Sequence, residues 1–235
     1  MTPTSTQGFS GGEEIASGPN TARQNAGVTL LRVAWLAVAL GLAMEALLLL
    51  LASGFGEVLG LKSLVADLVR NVTWAAFVCA GLAVGTMLSK IRVPAMGFFG
   101  FLAAPLAFEV SRSVHKGTLE ALDLAGAGGA AASPVLLALM KVIEYGCLGL
   151  LIGWIGTRAW GGVLAHAGAG LTVGIVFGGT ILSLTIGAAP GPVPTADLVF
   201  QGLNELLFPI GCALVLFSAG ALGNRMPSRE VPADT

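Results

Sequence analysis

Apolar residues along this chain fall into long runs separated by short polar stretches. A helix needs about 20 apolar residues to cross a bilayer. Six runs come close to that length or exceed it: 28–53, 71–89, 94–113, 134–157, 160–187 and 196–222. We read them as six transmembrane helices of one domain, residues 27–224. Residues 1–26, rich in Ser, Thr and Gly, read as a disordered cytoplasmic tail, and 225–235 as a second, shorter one. The first apolar run is too long for the h-region of a signal peptide and is expected to stay as a helix.

The linkers differ in kind. Between the first two runs, GEVLGLKSLVADLVR (56–70) puts Val58, Leu61, Val65 and Leu68 on one helical face. Glu57, Lys62, Asp67 and Arg70 fall mostly elsewhere. This short amphipathic segment either lies on the membrane surface or extends the second span. AGAGGAAASP (125–134) is a low-complexity connector, and APGPVP (189–194) is a rigid one.

Composition narrows the class. The chain has 235 residues, 55% hydrophobic and 11% charged; an ordinary soluble domain is about a quarter charged. A soluble domain, a disordered chain and a nucleic-acid binder are excluded. The net charge of -1 points to no partner. Cys79, Cys147 and Cys212 lie far apart in apolar runs, without a CxxC, and read as packing residues. His115 and His166 sit at different depths, which argues against a haem between them. No cofactor, metal site or catalytic residue is expected. Phosphate-binding loops, HExxH and GxSxG are missing. A lipid-modifying enzyme would need a dense polar cluster at one interface. The one cluster is Glu109, Arg112, His115, Lys116, Glu120 and Asp123, which reads as a solvated helix end with Glu109 paired to Arg112.

Orientation comes from basic residues. With the N-terminus in the cytoplasm, seven (Arg23, Arg32, Lys90, Arg92, Arg158, Arg225, Arg229) lie inside and four (Lys62, Arg70, Arg112, Lys116) outside. The excess places both termini in the cytoplasm, which requires an even number of spans. The Ala/Gly-rich, Lys-poor composition fits a bacterial inner membrane.

AGLAVG (80–85) in span two recurs as AGLTVG (169–174) in span five. Acids follow the same order: Glu45 and Glu144 in spans one and four, Glu109 and Glu205 in spans three and six. The offsets are 89, 99 and 96 residues. Three spans per half would make an inverted repeat. Chance matching in an Ala/Gly/Leu/Val-rich chain is the competing explanation.

Helix contacts in lipid need small residues, because lipid offers no hydrophobic drive. Gly146, Gly149, Gly153 and Gly156 share one face of span four; Gly170, Gly174 and Gly178 form a GxxxGxxxG stripe in span five. These stripes pack helices within the chain or against a second copy. Glu144 lies about 160° round span four from its glycines. Lys141, three residues earlier, is placed to pair with it.

A charge at the bilayer centre costs about 2.5–3.5 kcal/mol on insertion scales, so such residues pair or act. The candidates are Glu45, Lys141, Glu144 and Glu205, with His166 as a proton relay or a buried donor. Gln201, Asn204 and Glu205 gather on one turn of span six, and Pro209 leaves the Glu205 carbonyl without its helical donor. Oxygen ligands in one place suit a hard cation or a proton. An ordinary proline kink is the plainer explanation. Thr172, Thr180, Ser183 and Thr185 either line a polar path or bond back to their own helix.

The expected function is that of a small transporter or channel for an ion or small solute, with the membrane carboxylates and a Pro-broken sixth helix as its site. The alternative is a non-catalytic subunit or scaffold of a larger inner-membrane complex. Expected partners are the lipid bilayer and either a second copy or another membrane protein.

Overall fold

A computed structural model of the protein describes residues 19–55, 60–124 and 133–225. These residues are all helical, with no strand among them. Most of the two tails, Glu57, Val58 and most of the 125–134 connector lie outside them. Six helices are long and apolar enough to cross a membrane. They are α1 (Pro19–Gly54), α2 (Leu61–Thr86), α3 (Arg92–Ala121), α4 (Pro134–Ile155), α5 (Val163–Ala188) and α6 (Thr195–Arg225).

Local chemistry sets the boundaries. Pro134 opens α4 at the first turn, where no donor is needed. Ala189 is extended ahead of Pro190, as a residue before proline prefers, and α5 ends there. Asp123 takes φ 57°, and Leu124 N–H closes on the Leu119 carbonyl at 2.9 Å, a left-handed stop just past the end of α3.

Three boundaries differ from the apolar runs. Residues 19–26 belong to α1 rather than to a tail. Of the two readings of the amphipathic stretch, the extension of the second span holds: 61–70 are the first turns of α2 and not a separate element. α3 continues to Ala121, past the apolar run. The last two extensions run side by side and satisfy each other. Lys62 donates to the Leu122 carbonyl at 2.9 Å, and His115 Nδ1 lies 3.2 Å from the Ala66 carbonyl. Asp67 pairs with Arg70 at 3.1 Å and sits 3.8 Å from His115. Glu109 is not paired with Arg112, and both are exposed. Lys116 pairs with Glu120 instead, at 3.8 Å.

Each helix packs on its neighbours in sequence, α1 also packs on α6, and α2, α4 and α6 meet across the middle. The shared core includes Val78, Cys79, Leu82, Tyr145, Leu148, Phe208 and Cys212. Cys79 and Cys212 face each other with sulfurs 3.6 Å apart. Large apolar side chains also cover the outside: Trp35 is 69% exposed and Leu106 59%.

The glycines mark where backbones touch. Gly149 and Gly153 in α4 press on the α3 backbone at Met96 and Val93. Gly146 lies against Phe101, and Gly156 against the Arg92 guanidinium. In α2, Gly81 and Gly85 meet α3 at Ala103 and Met96. In α5, Gly170 and Gly174 meet α6 at Ile210 and Leu206, and Gly178 meets Glu205. A Cβ on Gly170 would stand 2.5 Å from the Ile210 Cα, nearer than real atoms come.

Candidate functional site

The inward face of α4 carries Lys141, Glu144, Tyr145 and Leu148, at the spacing of one helical stripe. Glu144 is fully buried and Glu205 is 9% exposed. Lys141 joins them. Its ammonium donates to Glu144 Oε2 at 2.8 Å and to Glu205 Oε2 on α6. The Trp74 and Tyr145 rings each lie 5.7 Å from Lys141 Nζ, within cation–π range. Trp74 Nε1 donates to the Tyr145 hydroxyl at 3.4 Å.

The charges do not balance. One ammonium faces two carboxylates, so the fully ionised cluster carries one excess negative charge. Two buried oxygens here also lack a donor, Glu144 Oε1 and Asn204 Oδ1. Buried polar atoms normally have partners, and an uncompensated buried charge is costly. One proton on Glu144 Oε1 would remove the excess charge and turn that oxygen into a donor.

Lys141 and Glu205 line a cavity of about 500 Å³, and Glu144 sits behind Lys141, outside its lining. Trp74, Tyr145, Asn204 and Phe208 line the same space, and Arg70, Arg112 and His115 line it on α2 and α3. Lys141 stands about 10 Å along α4 from Pro134, which is also in the lining. Ligand sites are typically about 300–1,000 Å³, mostly apolar with a few convergent polar groups.

The expected residues are only partly brought together. Lys141, Glu144 and Glu205 meet; Asn204 lines the cavity beside Lys141 and Glu205, and so does Gln201, which donates to Thr185 Oγ1 at 3.0 Å. Glu45 stands apart on α1 and accepts from Asn71 Nδ2 at 2.7 Å. Asn71 also lines the cavity, so Glu45 sits behind it. His166 is elsewhere, with Nδ1 donating to the Gly162 carbonyl at 3.0 Å. Thr172, Thr180, Ser183 and Thr185 each bond back to the carbonyl four residues earlier, at 2.7–3.0 Å, and form no polar path of their own. Asn71, Trp74 and Tyr145 were not singled out from sequence. Tyr145, the one tyrosine in the chain and next to Glu144, carried a usable signal; Trp74 did not.

The sixth helix is not broken. α6 stays helical through Pro209, which lacks the donor that the Glu205 carbonyl would otherwise receive. Neighbouring helices make an interior proline tolerable in such a bundle. The irregular backbone is across the interface in α5, where Gly174–Gly178 form a π-helical turn. That turn lies against Leu206 and Glu205. Such turns recur at functional sites.

Asn71→Ala is expected to lower stability by about 1.5–3 kcal/mol, the worth of a hydrogen bond to a charged group. Denaturant unfolding in detergent would measure it. A change within about 0.5 kcal/mol, as for an ordinary surface substitution, would remove the bond from the account.

Among the described residues no three His, Cys, Asp or Glu side chains group as a metal site. Comparison with protein families, with curated proteins and with solved structures finds no match to the chain.

Proposed function

We propose that the chain is a small multi-pass transporter or channel of a bacterial inner membrane, moving an ion or small solute. Lys141, Glu144 and Glu205 form its proton- or cation-binding site. The observation that carries this reading is one lysine between two buried carboxylates, Glu205 in the cavity wall and Glu144 behind it, with Glu144 Oε1 lacking a donor. Glu144 is about 15 Å into α4, which is near mid-depth for a core about 30 Å thick. A site there that gains and loses one proton can couple an ion gradient to a solute in the cavity.

Two further observations support the architecture. Arg23, Arg32, Lys90, Arg92, Arg158 and Arg225 lie toward the end of the bundle where α1 begins, against Lys62, Arg70, Arg112 and Lys116 at the other, and this excess favours cytoplasmic termini. In both AGL(A/T)VG segments the glycines turn onto the next helix, α2 onto α3 and α5 onto α6, which favours a three-plus-three inverted repeat.

The test is flux into liposomes containing the purified chain, driven by a pH gradient, over a panel of cations and small solutes. Glu205→Gln is expected to abolish coupled flux while the protein still elutes as wild type. Wild-type flux in that variant would remove the proposed role.

The alternative of a subunit in a larger complex has one observation in its favour. On the outer face of α5, Gly168, Thr172, Gly179 and Ser183 are exposed, and a Cβ at either glycine would meet nothing within 4 Å. Native mass spectrometry in mild detergent separates the two readings. A bound second protein favours the subunit, and an isolated chain with flux excludes it.

A further inference from the structure

The end of the bundle where α1 begins and α6 ends holds a second cavity, of about 410 Å³. It is lined from all six helices, by the starts of α1, α3 and α5 and the ends of α2, α4 and α6. Arg92, His166 and Thr86 give it polar walls, and Phe217 and Leu216 give it apolar ones.

Arg92 pairs with no described acidic residue. Its Nε is buried and has no hydrogen-bond partner. The guanidinium is drawn inward rather than stretched outward. It lies over Gly156, where an added Cβ would come within 2.9 Å of Nη2. An arginine serving only to reach lipid headgroups would extend its head away from the bundle. Described carboxylates are distant, since Gly156 to Glu144 is about 18 Å along α4. His166 Nδ1 carries its hydrogen toward the Gly162 carbonyl, and the ring rests 5.1 Å from Phe217. In that tautomer the other ring nitrogen is an acceptor, able to take a hydrogen bond from a protonated phosphate oxygen.

We propose that this cavity binds a phosphate group, with Arg92 as its charged anchor and His166 beside it. The guanidinium fork matches tetrahedral oxyanions, and no described carboxylate competes for it. The phosphate belongs either to a lipid headgroup or to a small soluble compound. The assignment is independent of the site at Lys141, because the two cavities share no lining residue.

The experiment is titration of the purified full chain in an uncharged detergent. One arm uses sodium phosphate. The other uses a short-chain phosphatidylglycerol, with the matching phosphate-free diacylglycerol as control. Saturable binding of at least one phosphate probe is expected, weakened about tenfold or more by Arg92→Gln. Glu205→Gln is expected to leave it unchanged, so a failure here is distinct from failure of the transport reading. Binding of inorganic phosphate assigns a soluble ligand, and binding of the lipid alone assigns a headgroup. If Arg92→Gln does not fold, Gly220→Leu decides the matter. Gly220 lines the cavity with open space around it, so a leucine there fills the site without a clash. No saturable binding by either probe, or wild-type affinity in the deciding variant, overturns the proposal.

Discussion

Lys141→Met is expected to destabilise the bundle by about 3–5 kcal/mol, the cost of removing one partner from a buried ion pair. The wild-type lysine donates to both Glu144 and Glu205. Without it, two buried carboxylates face each other with no other described cation in ion-pair contact. Methionine keeps the length of the side chain, so packing loss is small beside the electrostatic cost. The comparison that isolates the charge is Lys141→Met/Glu144→Gln/Glu205→Gln. That chain has no charge left in the cluster. It is expected to recover most of the lost stability, because neutral groups of similar volume replace buried ion pairs at little cost. It is still expected to carry no coupled flux. Denaturant unfolding of both variants in the same detergent measures the difference. A Lys141→Met chain within about 1 kcal/mol of wild type would mean that water, not protein, solvates the cluster.

Periodicity alone locates the spans, but it cannot say which face of a span meets a neighbour. In a soluble helix the apolar stripe points to the core. Here Leu106 and Leu148 are equally apolar, yet one is 59% exposed and the other is fully buried. Small residues are the better guide. The α4 glycines mark a contact face from sequence, although only the structure names α3 as the partner. Short-range polar pairs are legible for the same reason: Lys141 and Glu144 are three residues apart on one helix. Lys141 to Glu205 spans 64 positions and Asn71 to Glu45 spans 26. No local rule links those. The contact between the polar extensions of α2 and α3 is hidden for another reason. Each reads from sequence as helical, 61–70 as a surface helix or an extension of the second span and 109–123 as a solvated helix end, but nothing local shows that the two lie against each other. Pro209 was the strongest local signal for a broken helix, yet the backbone departs from α-helix at Gly174–Gly178 in the facing α5.

Gly149→Leu is expected to cost at least as much as the upper part of the usual overpacking range of about 1–3 kcal/mol. The reason is what the new side chain meets. A Cβ at Gly149 runs into the backbone carbonyl of Met96, and one at Gly100 runs into the carbonyl of Tyr145. The α3 and α4 backbones therefore touch from both sides. A flexible side chain could turn away, but a helix backbone can only move as a unit. Separating the helices forfeits the dispersion contacts that hold them, and lipid supplies no hydrophobic force to push them back. The damage should reach the site as well. Tyr145 is one turn from Gly149, and Glu144 precedes it. A shift of α4 moves Lys141 relative to Glu205, so coupled flux is expected to fall together with stability. Gly168→Leu is the control. It also adds a leucine to a glycine of the bundle, but its Cβ would meet nothing within 4 Å. That variant is expected to unfold within about 0.5 kcal/mol of wild type, as surface substitutions usually do. Equal unfolding midpoints for the two variants would mean that α3 and α4 are not in backbone contact.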